Sequence, residues 1–244
     1  DAYIEAARQN VPELLEKAEK ENDPEKRNGL YGNALFTLML QGKYEQSISL
    51  FEQLGNKLSG KEEIAKNLYG MAAGVAYEQG KLEQAYEYAK HISDVGDRLG
   101  LIIGIMEKRL EHGELSQAMK LLPEIKRHLK QVDDEWDKVR LAVELANLET
   151  RISPTQGFQM MEEAIKMLNQ FDGDSGNGSG YGPGGITLRM NRFDLSSGLL
   201  LLAQEDFPRA LALVKQIQEK ERAAWAKLAV CKGVLQPAGS KTSR

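Results

Sequence analysis

The sequence predicts an all-α chain whose helices come in pairs that stack on one another. Apolar residues recur at intervals of three and four almost throughout, as in Leu14, Leu15 and Ala18 or Val139, Ala142, Val143 and Ala146, which is a helical period. Alternating strand patterns are scarce. Only "GGITLRMNRF" at 184–193 hints at extended chain, and it follows a glycine cluster, so it reads as irregular chain or the approach to a helix. The third observation is repetition: "GVAYEQGKLEQAYEYA" at 74–89 returns as "MLQGKYEQSISLF" at 39–51 and "RLEHGELSQAMKLL" at 109–122.

Taken in order, a helix is expected at about 2–20, before the first pair. Aligning Ala85 with Ser47, Ala118, Gly157 and Ala210 places a small residue early in the second helix of five pairs, where only a small side chain lets two helices approach. Three residues before these stand Tyr44, Leu82, Leu115, Pro154 and Phe207; four after stand Phe51, Ala89, Leu122, Met161 and Val214. Seven after stand Leu54, Ile92, Ile125, Ala164 and Ile217, so the offsets describe one face repeated. Gly42, Gly80 and Gly113 fall between paired helices, where glycine supplies a left-handed helix end. In the fourth and fifth units "SPT" at 153–155 and "EDFP" at 205–208 offer capping and proline starts instead.

The five small residues lie 38, 33, 39 and 53 apart by subtraction, and the last interval carries an insertion, "DGDSGNGSGYGPGG" at 172–185, too rich in glycine to hold a helix. A helix at about 219–235, containing "ERAAWAKLAVCKGVL", closes the series, for about twelve helices in all. We expect one helical-repeat domain over 1–235 with a loose tail at 236–244.

These residues resemble the tetratricopeptide repeat family. "NLYGMAAGVAYEQGKLEQAYEYAKHI" at 67–92 follows that family's two-helix unit in its turn, with Ala73 and Ala85 at the small positions of the two helices. It departs from it at Ala76 and Ala89, where aromatics are common, and in having no proline at the end of the unit. The resemblance spans about 28–217, is close in the first three units and weak in the last two. It implies a right-handed α-solenoid of antiparallel helix pairs, a TPR-like superhelix whose first helices line a concave surface for a peptide or protein partner. Carried over one position at a time, that surface takes Asn33, Phe36 and Met39 from the first unit and Asn67, Gly70, Gly74 and Tyr77 from the second. From the third it takes Ile103, Glu107 and Leu110. The clamp that some members use for a peptide carboxylate is missing, its positions including Gly32, Phe36, Gly70 and Gly74.

Composition narrows the function classes. With 32 basic against 36 acidic residues the net charge is −4, which disfavours a phosphate-backbone binder, so no nucleic-acid partner is expected. The longest apolar run, "GLLLLA" at 198–203, is far short of the roughly 18 residues that a spanning helix needs. The chain begins at Asp1 with no basic and apolar leader, which fits a processed or truncated N-terminus; a soluble protein is expected, with the cytoplasm favoured as its compartment. Cys231, the single cysteine, sits in an apolar pattern and reads as a core residue.

No metal or cofactor is expected. His91, His112 and His128 form no HExxH pair and read as surface or helix-end residues, "HGE" at 112–114 belonging to the repeated turn. "DGDSGNG" at 172–178 starts like a calcium loop, but Gly176, Asn177 and Pro183 occupy the fifth, sixth and twelfth places, where an oxygen ligand, a glycine and a glutamate are needed. Its glycines follow a helix and precede no Gly-Lys-Ser/Thr, so a phosphate loop fails as well. "DDEWD" at 133–137 reads as acids complementing a helix dipole, with a recognition patch around Trp136 as the alternative. Ser153 and Ser196 read as caps and not as nucleophiles.

The expected function is therefore a non-enzymatic protein- or peptide-binding scaffold. The first alternative is a homo-oligomerisation module using exposed apolar residues of an end helix, such as Trp225. The second is a small-ligand receptor or enzyme using the inner groove and the glycine-rich loop.

Overall fold

The computed structural model describes residues 8–171 and 194–235, and among these the regular structure is helical, with twelve α-helices, one short 3-10 turn and no strand. The glycine-rich segment 172–185, the stretch 184–193 and the tail 236–244 lie outside the described residues.

Helix α1 spans Val11–Lys20, which is shorter than the expected 2–20 within the described residues: residues 8–10 lie outside it. Pro12, at the second position of the helix, is compatible with that start, because its missing N–H is one of the first-turn groups that have no intrahelical acceptor. The first pair is α2 (Pro24–Leu40) and α3 (Tyr44–Leu54), followed by the 3-10 turn Gly55–Lys57. The second is α4 (Lys61–Glu78) and α5 (Leu82–Ala89), and the third α6 (Val95–Glu111) and α7 (Leu115–Leu129). Then come α8 (Glu135–Ile152) with α9 (Pro154–Gln170), α10 (Ser196–Glu205) with α11 (Phe207–Val214), and α12 (Lys220–Leu235).

The three glycine turns share one hydrogen-bond pattern. At Gly80, φ is 73°, its N–H donates to the Tyr77 carbonyl, and the Lys81 N–H donates to the Ala76 carbonyl at 2.9 Å. Gly42 and Gly113 repeat both bonds with φ of 72° and 78°, so the same left-handed helix ending closes α2, α4 and α6. The fourth and fifth pairs turn with a single residue between helices, Ser153 and Asp206, and each second helix has a proline in its first two positions, Pro154 and Pro208. Asp206 caps α11 by accepting the Arg209 N–H at 3.0 Å. Ser153 occupies the cap position of α9 with no side-chain bond to the helix, and Ser196 lies inside α10 with its N–H on the Asp194 carboxylate, so neither serine caps as expected.

All five small residues are the fourth residue of a second helix, and all five are buried. Ser47 donates its hydroxyl to the Leu35 carbonyl of α2 at 2.9 Å, which satisfies a polar group inside the pair. Gly157 lies so close to α8 that a Cβ there would stand 2.6 Å from the Thr150 Cα. The residues four and seven positions on are buried in every unit, from Phe51 and Leu54 to Val214 and Ile217. The position three before is not: Leu82 is buried, while Leu115 and Phe207 are exposed, because the first turn of a second helix reaches beyond the core.

The described chain groups into two compact units, residues 8–101 and residues 102–171 with 194–235, and the boundary falls inside the unbroken helix α6. In the first unit α1 packs on α2, α2 on α3, α3 on α4 and α4 on α5, with α2 also against α4. In the second, α7 packs on α8, and α8 on both α9 and α10. Helix α9 meets α10 and α11, and α12 lies against α10 and α11. Each first helix thus touches its own second helix and the first helix of the next pair wherever both are described within one unit. That recurrence is what a repeated two-helix unit needs in order to bury a core no single pair can enclose.

Candidate functional site

Helices α2 and α4 carry the expected surface residues of the first unit. Asn33 is exposed and Phe36 is 37% exposed, on the side of α2 away from the buried Ala34, Leu35 and Leu38. On α4, Asn67 is exposed, its amide donating to Glu63 of the same helix at 3.3 Å. Gly70 and Tyr77 are half-buried, and Gly74 is buried. A Cβ built at Gly29, Gly32 or Gly70 meets nothing within 4 Å, so none of these glycines is required by packing and each leaves helix backbone uncovered.

Two of the expected surface residues are corrected. Met39 on α2 and Ile103 on α6 belong to the core, at 5% and 3% exposure, and so present nothing to a partner. Met39 stands in the last turn of α2, whose buried residues also include Thr37 and Leu38, so the helix is enclosed nearly all round there. Ile103 follows Leu101 and Ile102 and precedes Ile105 and Met106, all buried, and the apolar stripe of α6 is accordingly wider than one face. Farther along α6, Glu107 is exposed and pairs with Arg151 at 3.5 Å, and Leu110 is half-buried.

Two clefts lie apart from these residues, one in each unit. The first, of about 290 Å³, forms where the turn into α3 meets α4 and α5; Tyr44, Glu45, Gln84 and Tyr88 are among its walls. The Gln84 amide bridges it, donating to Glu45 at 2.8 Å and to the Tyr88 hydroxyl at 2.9 Å. The second, of about 240 Å³, lies among α7, α8 and α9, with Lys126, Lys130, Lys138, Glu149 and Glu163 among its walls. Glu149 is 1% exposed, and the Lys126 ammonium is its ion-pair partner. Burial pushes the Glu149 carboxyl above the usual carboxylate range, and Lys126 offsets that in part. Sequence reading missed this group because an acid four residues from the end of an amphipathic helix looks like any solvated one.

The other singled-out residues have local roles. Asp134 caps α8 by accepting the Asp137 N–H at 2.8 Å, and Glu135 and Asp137 fill the first turn as the dipole reading expects. Trp136 is half-buried under the Arg140 guanidinium, 5.5 Å from its ring centre, and Arg140 also reaches Asp137 and Glu144. His91 stacks on Tyr69 at 4.4 Å just beyond α5, His112 is exposed at the turn after α6, and His128 lies in the last turn of α7. Cys231 is exposed and not part of the core: α12 buries Ala226, Ala229, Val230 and Gly233, and the thiol falls on another side. Among the described residues no cluster of histidine, cysteine and acidic groups is arranged to hold a metal ion, and no helix is long and apolar enough to cross a membrane.

No protein-family model, curated protein or solved structure matches this chain.

Proposed function

We propose that the chain is a non-enzymatic scaffold that binds a protein or peptide, built as one TPR-like repeat domain over 1–235: a right-handed solenoid of antiparallel pairs whose first helices form the recognition surface. The observation that carries this reading is the shared position of the five small residues, each the buried fourth residue of a second helix. A sequence that keeps one packing device at a fixed place in five successive pairs is built by repetition, and repetition of helix pairs yields a broad surface instead of an enclosed pocket. The two clefts, of about 290 and 240 Å³, lie at or below the bottom of the roughly 300–1,000 Å³ range of ordinary small-ligand sites.

On this reading Asn33, Phe36 and Asn67 form part of the recognition surface, offering amide groups beside an aromatic ring. The test is a pulldown from the native host with wild-type protein and with the triple variant Asn33→Ala, Phe36→Ala, Asn67→Ala, each checked for an unchanged helical spectrum. A protein captured by the wild type and lost from the variant supports the surface. An identical set of bound proteins removes it.

A second reading, self-assembly, is favoured by one separate observation: Trp225 on α12 is 61% exposed.

A further inference from the structure

Helix α12 has the packing relations of a first helix that lacks a second. Helix α10 packs on α8 and α9 of the pair before it and on its own second helix α11, while α12 packs on α10 and α11, and no helix follows it among the described residues. Its buried side is made of small residues and is tight, for a Cβ at Gly233 would stand 2.4 Å from the Leu200 carbonyl oxygen. Elsewhere around the helix Trp225 is 61% exposed, Leu228 60% and Leu235 82%. Isolated exposed apolar residues are ordinary, but a tryptophan and two leucines along one helix mark a surface that is covered in use.

Glu221, Trp225, Leu228 and Lys232 follow one another at intervals of four, three and four, which places them on a single stripe, and all four are exposed. Its spacing reads the same in either direction, with Trp225 and Leu228 exchanging places and the charges reversed, acid at one end and base at the other. We propose that this stripe is a homodimer contact, in which α12 of one molecule lies antiparallel on α12 of a second copy about a twofold axis. In one register Trp225 of each copy packs on the second copy's Leu228, and Glu221 of each faces the second copy's Lys232. The parallel arrangement sets acid beside acid and base beside base, and it also aligns the two helix dipoles unfavourably. A single helix face is smaller than the roughly 1,200–2,000 Å² of standard stable interfaces, so the pairing is reversible.

Sedimentation velocity from about 1 μM to about 1 mM tests the contact. The wild type is expected to pass from monomer to dimer over that range, with Trp225 emission moving to shorter wavelength as its ring leaves water. Leu228→Glu stays monomeric throughout. Glu221→Lys weakens the dimer about tenfold, and adding Lys232→Glu to it restores wild-type affinity, because the charges then match again in the same register. A wild type that stays monomeric at the top of the range overturns the proposal and leaves the stripe to a different partner. Dimers that persist in Leu228→Glu overturn it in favour of another surface, and a double charge swap that fails to restore affinity overturns the antiparallel register.

Discussion

Two glycines in helices make opposite demands. Gly157 has the Thr150 backbone 2.6 Å from where a Cβ would stand, and backbone cannot swing aside as a flexible side chain can. Gly157→Ala should therefore destabilise the protein by about 1–3 kcal/mol through overpacking. Gly32 has open space around the same point and ordinary helical backbone, so Gly32→Ala should stabilise by about 0.4–1 kcal/mol, mainly by restricting the unfolded chain. Urea midpoints of the two variants measure both, and a Gly157→Ala midpoint at or above the wild type's would contradict the close α8–α9 approach. Glu149 gives a pH dependence instead. Its carboxyl is raised in the folded state, so the folded protein binds more protons than the unfolded one, and stability is lost as pH rises through that window. Glu144 is raised by burial as well and contributes in the same direction, so the two responses are separated by a variant. Glu149→Gln should flatten the decline in urea midpoint as pH rises above the ordinary carboxylate range, and a steeper decline in the variant would refute the assignment.

Whether a helix is capped can be read from bonds, and the bonds rank the ends. Asp23 accepts the N–H groups of Glu25 and Lys26 at the start of α2, whereas Ser153 makes no such bond at the start of α9. Asp23→Ala should cost about 1 kcal/mol and Ser153→Ala a few tenths, both read from thermal unfolding; equal losses would mean that Ser153 caps in solution. The same contrast shows what a sequence reveals about elements. The register of the second helices was legible because a buried small residue four places into a helix leaves a pattern at 0, +4 and +7, and packing enforces it from Ser47 to Ala210. The left-handed ends at Gly42, Gly80 and Gly113 were legible for the same reason, since few other residues take that backbone. The start of α1 was not, because apolar periodicity does not mark where a helix begins, and the described residues 8–10 lie outside it. Met39, Ile103 and Cys231 were misplaced because periodicity gives a stripe and not its width: α6 is buried beyond one face, and α12 is left open on one.

At the scale of the whole chain, the proposed solenoid has a mechanical consequence. In a stack of helix pairs each pair meets only its neighbours, so stability is close to a sum of pair and nearest-neighbour contributions, and damage at one place is felt nearby first. Ala85→Leu in α5 and Gly157→Ala in α9 strike different units, and each should cost about 1–3 kcal/mol by overpacking. Native-state hydrogen exchange then separates a stack from a single cooperative core. With Ala85→Leu, protection should fall first in α2 to α5 while α8 to α10 keep theirs; with Gly157→Ala the order should reverse. The double variant should lose the sum of the two single losses to within about 0.5 kcal/mol, because sites with no shared contacts add. Protection lost evenly over all helices in either single variant, or a double loss far from the sum, would mean that every helix belongs to one indivisible core, and the repeat reading would fail even though its register is correct.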